Sequence, residues 1–511
     1  MAFEKLLAEL ARRKAHALRM GGAEKLAQRR SEGNLNARER LDLLLDKDSF
    51  VESGLYATSH RPEVRDRTPA DGKVSGFGTI EGRRVAVVSN DFTVMGASSS
   101  VVNGKKIRHM REAAARNGMP LIFLGESAGA RMPDRMGSAG RAILGQDPAE
   151  YLRMRQSPWV SALLGPCYGS STWYSCMSDY VVMRKGALMA VASSRVTSMA
   201  INQPVDAEEL GGWKLHAETT GLVDLVVDTD EQALAAVRRF LGYLPSSHSE
   251  APPMCPVPEG AGKDAERILE LVPESPTKVY DIRKLIEVVA DPESVLELKV
   301  RFGKSICTSL IRLAGRSVGV VANNPLFKGG AIDVDACVKA TSFLVFCDSF
   351  NIPIVFLVDQ PGFLIGLDGE RRGAPGRIIN WMNALSLVTV PKISLVLRKS
   401  YGQAYLNMGG GRNSDEVVCW PSADLGFMAP AVGANVLSAG KKADTPERQQ
   451  QVADDLARDT SAWGLAQLYE AQVVIDPRDT RDCLISLLAM HRQRHGSEVG
   501  AHRLANWPTS Y

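Results

Sequence analysis

Four glycine-bearing turns are where this chain can do chemistry. Two lie in the first half, SAGARM (127–132) and GPCYGSSTW (165–173), and two in the second, DQPGFLIG (359–366) and KSYGQAYLNMGGG (399–411). Each follows an apolar run of strand character. A turn that leaves a strand and feeds a helix carries backbone N–H groups with no acceptor, aimed outward. Two such turns side by side aim two N–H groups at one point. That is an oxyanion hole, which stabilises negative charge growing on a carbonyl oxygen. Glycine permits the twist and a ligand's close approach. One such turn alone is an ordinary connection between strand and helix. Four in matched pairs indicate two anion-stabilising sites, hence a reaction with two bound components.

Rival chemistries have weaker signals. No H-E-x-x-H or Walker A pattern is present, and no nucleophile elbow is expected. Asp333 and Asp335, two apart, suit the alternating faces of a strand better than a metal site. His109 and His216 read as satisfied helix or surface residues rather than general bases. DDLARDT (454–460) reads as a solvated helix face. The turns supply backbone dipoles, with no evident acid–base pair beside them and no metal.

The elements that position the turns are themselves duplicated. Gly129 and Gly362 are 233 residues apart, and three other segments keep that register. RRVAVVSND (83–91) falls on RSVGVVANN (316–324), NGMPLIFL (117–124) on FNIPIVFL (350–357), and VSALLGPCYG (160–169) on ISLVLRKSYG (393–402). Within each copy, short apolar strands such as RVAVVS (84–89) alternate with segments of helical spacing. GKKIRHMREAAARNG (104–118) is one, with Ile107, Met110 and Ala114 on one face and Gly118 as its C-cap. This alternation predicts an α/β fold with a parallel sheet covered by helices. Residues 1–45 read as helices, with Asn36 as an N-cap and Leu41, Leu43, Leu44 and Leu45 on an apolar face. The stretch 244–264, rich in Pro, Ser and Gly, is the clearest boundary.

Composition excludes other classes. The chain has 511 residues, 45% hydrophobic and 23% charged, with 61 basic against 58 acidic side chains and a net charge of +3. That balance gives no footing for nucleic acid. Eight scattered cysteines without a C-x-x-C argue against a zinc ribbon or a disulfide scaffold and fit a reducing, cytoplasmic compartment. No apolar run reaches the ~18 residues of a membrane span. The amphipathic start carries Glu4 and Glu9 and reads as a structural helix rather than a transit peptide.

At this point the motifs resemble a family. MGGAEKLAQRRSEGNLNARERLDLLLDKDSFVE, SNDFTVMGASSSVVNGKKI, ESAGARM, LGPCYGS, EELGGWKLH, FCDSFNIPIVFLVDQPGF and VIDPRDTR together are similar to the carboxyltransferase (β) subunit of biotin-dependent acyl-CoA carboxylases, of the propionyl-CoA and methylcrotonoyl-CoA type. The resemblance covers nearly the whole chain. It implies two tandem crotonase-like (ClpP/crotonase) ββα-superhelix domains from an internal duplication: 1–250 on the acyl-CoA side and 265–511 on the biotin side. It further implies that N–H groups near Gly169 and Ser170 hold the thioester oxygen of an acyl-CoA. N–H groups near Gln403 and Ala404 hold the ureido oxygen of carboxybiotin, which arrives on another protein. Ala128, Gly129, Ala130, Arg131, Tyr168, Gly362, Phe363 and Leu406 line the two sites. The partners implied are a biotin carboxylase and a biotin carboxyl carrier subunit, because the chain has neither an ATP-binding region nor a biotin-accepting Met-Lys-Met. In the family the sites face each other across a dimer interface, within a hexamer built as a trimer of dimers.

The chain also departs from the family's pattern. Gly169-Ser170 stands for the usual Gly-Gly, Ala128 for a Gly, and Gln403 for a small residue. Leu406 stands where propionyl-type enzymes often carry an Asp linked to acyl-chain choice. The bulk of Trp173 likewise points to a different pocket. Three other readings remain open: a biotin-dependent acyl-CoA decarboxylase subunit, a biotin-independent CoA-ester hydrolase or lyase, and a non-enzymatic scaffold.

Overall fold

The computed structural model describes residues 2–138, 151–438, 445–457, 460–493 and 496–508. The chain divides into two compact units, residues 1–249 and 250–511, and the division falls inside the Pro- and Ser-rich stretch. The first unit holds strands β1 (Val51–Glu52), β2 (Lys73–Ile80), β3 (Arg83–Asn90), β4 (Leu121–Ser127), β5 (Trp159–Tyr168), β6 (Tyr180–Arg184), β7 (Leu188–Ala190) and β8 (Leu225–Val227). The second holds β9 (Leu296–Leu298), β10 (Ile306–Leu313), β11 (Arg316–Asn323), β12 (Ile354–Gln360), β13 (Lys392–Tyr401), β14 (Glu416–Cys419), β15 (Asp424–Gly426) and β16 (Val473–Val474).

The two sheets have one topology. Their orders are β1-β2-β3-β4-β5-β6-β8, with β7 on β5, and β9-β10-β11-β12-β13-β14-β16, with β15 on β13. The 233-residue offset survives at the level of single pairs. Ala86 faces Leu121 as Gly319 faces Ile354, and Leu121 faces Trp159 as Ile354 faces Lys392. Even the register shift recurs, between Gly125 and Ser127 and between Val358 and Gln360.

Each sheet is parallel where the sequence predicts it and antiparallel at its start. β2 pairs antiparallel with β3, and β10 with β11. The connections are Glu81-Gly82 (φ 53° and 75°) and Ala314-Gly315 (φ 51° and 76°). Two positive φ values in succession make a tight hairpin turn of the hand that matches strand twist. Glu and Ala are poor advertisements for that turn, so β2 and β10 were not legible beforehand. β4 and β12 are buried along their whole length, as expected of strands covered on both faces. One cluster of the first unit packs Ile107, Met110 and Ala114 of the helix Val101–Asn117 on Ala86, Val88, Phe123 and Trp159.

Caps decide where helices start and stop. Asn36 accepts from Arg38 and Glu39 N–H while Glu39 reaches back to Asn36 N–H, closing a capping box. Gly118 ends the Val101–Asn117 helix in the left-handed region, φ 60°. Two expectations need correction. Asp333 and Asp335 are not on a strand. Asp333 caps the helix Val334–Ser349 by accepting Ala336 N–H at 2.8 Å, and Asp335 pairs with Arg372. The cap outweighs the two-residue spacing because it satisfies an otherwise orphaned donor. Leu41, Leu44 and Leu45 are buried, but Leu43 points to solvent, since a helix of period 3.6 turns that position away from the core. In DDLARDT, Asp454 to Ala457 close the exposed helix Pro446–Ala457, while Arg458 and Asp459 lie outside the described residues. Among the described residues no helix is long and apolar enough to cross a membrane.

A buried lysine is duplicated as well. Lys106 Nζ donates to the carbonyls of Gly54, Ala70 and Lys73, and Lys339 Nζ to those of Lys299 (2.9 Å), Phe302 (3.1 Å) and Ile306 (2.8 Å). Burial pulls the Lys339 ammonium down to about 8 from its ordinary 10.5. The unfolded chain therefore binds the extra proton between these values, and this residue's contribution to stability rises with pH across that window. Denaturant melts should show wild type gaining up to about 3 kcal/mol on Lys339→Met between pH 8 and 10.5. A pH-independent difference would show that the lysine is not depressed.

Candidate active site

The first-unit turns close around Ser99. Leaving β4, Ala128 N–H donates to Gly96 O at 2.8 Å, and Gly129, at φ 100°, donates to Ser127 Oγ at 3.1 Å. Ser99 N–H donates to Gly129 O (2.7 Å), and Arg131 N–H donates to Ser99 O (2.9 Å). Ala130 bridges Ser99 between these two bonds, which leaves its own N–H out of the ladder. Leaving β5, Gly169 at φ 64° opens the short helix Ser170–Cys176. Thr172 N–H returns to Gly169 O, so Ser170 and Ser171 N–H have no acceptor within the helix. Ser99 Oγ and Ser170 Oγ stand 2.6 Å apart and join the two turns.

The second unit repeats the backbone and changes the side chains. Ile332 takes the place of Ser99: its N–H donates to Gly362 O (3.1 Å) and its O accepts Leu364 N–H (2.8 Å). Phe363 bridges Ile332, with Gly362 at φ 124°. Gly402 has the same φ, 64°, as Gly169, and its N–H is fixed to Gly426 O at 2.9 Å. Gln403 is exposed and Leu406 half-buried, whereas Ala404, first residue of the helix Ala404–Asn407, is buried.

Residues 28–503 match the carboxyl transferase domain model. The chain belongs to that family. It is 35% identical to the propionyl-CoA carboxylase beta chain of Roseobacter denitrificans, over 96% of this chain and 97% of that one. It is 32% identical to the methylmalonyl-CoA decarboxylase subunit alpha of Veillonella parvula, over 94% and 95%. Among solved structures it is similar to a transcarboxylase 12S hexamer with methylmalonyl-coenzyme A bound (TM-score 0.89, 32% identity, 96% of each chain). The fold is thus two crotonase-like domains, and the activity is acyl-CoA carboxyl transfer.

In this carboxyltransferase the charged groups next to the turns are committed to the protein. Arg131 is only 2% exposed and pairs with Asp71 and Asp134 (3.2 Å), so it holds the turn from inside. Glu126, three residues before Gly129, takes Arg29 (2.9 Å) and Arg40 (2.8 Å). Its counterpart Asp359 takes Arg398 and Lys399, both at 2.8 Å. The position equivalent to Arg398 is Gly165, where a Cβ would lie 2.2 Å from Glu126 Oε1. One unit supplies the cation from the strand itself, and the other from the N-terminal helices Ala23–Ser31 and Ala37–Leu44.

Residues 125–129, GESAG, spell G-x-S-x-G, the pattern of the nucleophile elbow that the sequence reading did not expect. Ser127 is nevertheless buried, and its Oγ takes Gly129 N–H, so it is no exposed nucleophile. Burial also pushes the Cys167 thiol far above its ordinary range. His216 is satisfied by Met189 O (2.7 Å) and Thr220 Oγ1 (3.1 Å), and His109 is exposed. Tyr401 donates to Asp424 Oδ2 at 2.5 Å. Its duplicate Tyr168 faces β7, where Leu188 replaces Asp424, and the phenol has no protein partner among the described residues. Sequence reasoning missed Ser99, Asp71 and Glu126. Reading residue by residue along the 233 offset would have raised Ser99 and Glu126, opposite Ile332 and Asp359. Asp71 carries no such signal.

Proposed function

We propose that the chain is the carboxyltransferase subunit of a biotin-dependent acyl-CoA carboxylase, with the acyl-CoA on the first unit and biotin on the second. The observation that carries this is the pair of turns repeated in both units with matching φ values, 64° at Gly169 and Gly402 and 100° and 124° at Gly129 and Gly362. Two oxygens bearing negative charge need two such cradles: the thioester oxygen of the enolate and the ureido oxygen of biotin. Ala130 and Ser170 N–H serve the first; Phe363 N–H and the N–H groups of Gln403, the duplicate of Ser170, and of Ala404 serve the second. Gly129 and Gly362 let the chain turn beneath the ligands, and Ala128 and Tyr168 flank the acyl site. Leu406 makes the wall beside the biotin turn apolar. Bound carboxybiotin supplies the carboxyl group and, at its ureido nitrogen, the base for the α-proton. That agrees with the engagement of Arg131, Arg398, Lys399 and Asp424 within the protein. Biotin is delivered by a carrier subunit and charged by a biotin carboxylase. The protein works as a cytoplasmic homo-oligomer, a hexamer.

The purified chain, given a panel of malonyl-type CoA esters and free biotin, should carboxylate biotin at the expense of one ester. CoA release at the same rate without biotin would overturn this in favour of a hydrolase. A decarboxylase subunit is the second reading, on the strength of the Veillonella relative. It uses the same half-reaction, and co-purification with a membrane-bound sodium-pump subunit would select it.

Gln403 tests the biotin side. Gln403 is exposed and Ala404 buried, so Gln403→Gly should keep or raise transfer to free biotin, within about threefold. A wild type inert towards biotin, with Gln403→Gly gaining activity, would mean that the glutamine excludes biotin.

A further inference from the structure

We propose that the Ser99–Ser170 hydroxyl pair adds a side-chain donor to the first-unit cradle, with Ser170 Oγ–H meeting the thioester oxygen and Ser99 orienting it. This rests on the assignment of the acyl-CoA to that cradle. Ser99 is clamped at both ends, by Gly129 O and by Arg131 N–H, so its hydroxyl is presented from a fixed backbone. Its Oγ lies 2.6 Å from that of Ser170. Two hydroxyls carry two protons, and one is used between them. Among the described residues neither oxygen has another protein partner, so the second proton is left to donate. Ser99 O–H to Ser170 Oγ, and Ser170 O–H to the ligand, is a chain in which the first bond strengthens the second. No bond to hydrogen breaks, and the hydroxyl remains a donor throughout.

The duplication shows that the fold does not require the pair. In the second unit Ile332 and Gln403 occupy the two positions, yet Ile332 makes the same two backbone bonds, and Gly402 has the same φ as Gly169. The turns close equally well without hydroxyls. Their presence on one side only gives the two cradles different donor sets, and the enolate oxygen, which gains charge during reaction, sits on the richer one.

The test is a double-mutant cycle in carboxyl transfer, with kcat and KM measured separately. Ser170→Ala should lower kcat by about 10- to 100-fold and Ser99→Ala by about 10-fold, both with little change in KM. The double variant should be no slower than Ser170→Ala, and Ser99→Thr, which keeps the hydroxyl, should restore the rate. Wild-type kcat in both single variants, additive losses, or losses confined to KM would overturn the proposal. Ser170→Pro separates this from the reading beneath it. If Ser170→Pro is inactive while both alanine variants are silent, only the hydroxyl role falls. If Ser170→Pro is itself fully active, the cradle is misplaced and both fall.

Discussion

Ser170→Pro should cost the protein about 10²- to 10³-fold in kcat beyond the loss in Ser170→Ala, while leaving the fold intact. A backbone donor is normally out of reach of mutation. Here proline removes it cleanly, because Ser170 is the first residue of its helix, where proline's fixed φ is already helical and the missing N–H breaks no intrahelical bond. The preceding residue must avoid the α region, and Gly169, at φ 64° and ψ −124°, does so. At Ala404, one position beyond Gln403, the duplicate of Ser170, proline lacks this advantage, since Gln403 is itself α-helical at φ −59°, ψ −25°. Thermal melting of Ser170→Pro checks folding, and transfer between a malonyl-type CoA and biotin checks the site. A wild-type rate in a folded variant would refute the assignment of Ser170 N–H.

The largest stability effect is expected at Arg40. Its guanidinium is completely buried between Glu126 (2.8 Å) and Asp230 (2.9 Å). Arg40→Met would leave Glu126 with Arg29 alone and Asp230 with Arg184 at 3.3 Å. Removing one partner from a buried ionic group costs about 3–5 kcal/mol, because the remaining charge stays desolvated. In a unit of this size that lowers the melting temperature by roughly 10 °C. The effect reaches the active site, since Glu126 lies on β4 three residues before Gly129. A calorimetric transition unchanged in Arg40→Met would show that the cluster is not load-sharing. Replacing the whole cluster, Arg29, Arg40, Glu126, Arg184 and Asp230, by apolar residues of similar volume should recover much of the loss.

The sequence by itself determined the duplication, the four turns and the strands that lead into them. The reason is local: a buried parallel strand must be a continuous apolar run, and a positive φ after it selects glycine, so both leave marks readable one residue at a time. Gly129, Gly169, Gly362 and Gly402 stand where the register put them, at φ values that differ little between copies. Helix ends were legible wherever a cap was short-range, as at Asn36 and Gly118.

Only the tertiary structure decided what each turn residue faces. Ser99 lies 71 positions from Ser170, and Arg40 lies 86 from Glu126 and 190 from Asp230, separations across which no periodicity runs. Arg131, adjacent to the cradle in sequence, faces inward to Asp71, and Tyr401 is held by Asp424 while its duplicate Tyr168 is not. The two-residue spacing of Asp333 and Asp335 carries no sign of the helix that Asp333 caps. Side-chain direction and long-range charge pairing are settled by packing. Backbone turn geometry is settled by the residue itself, and the anion-stabilising chemistry of this carboxyltransferase resides mainly in the backbone.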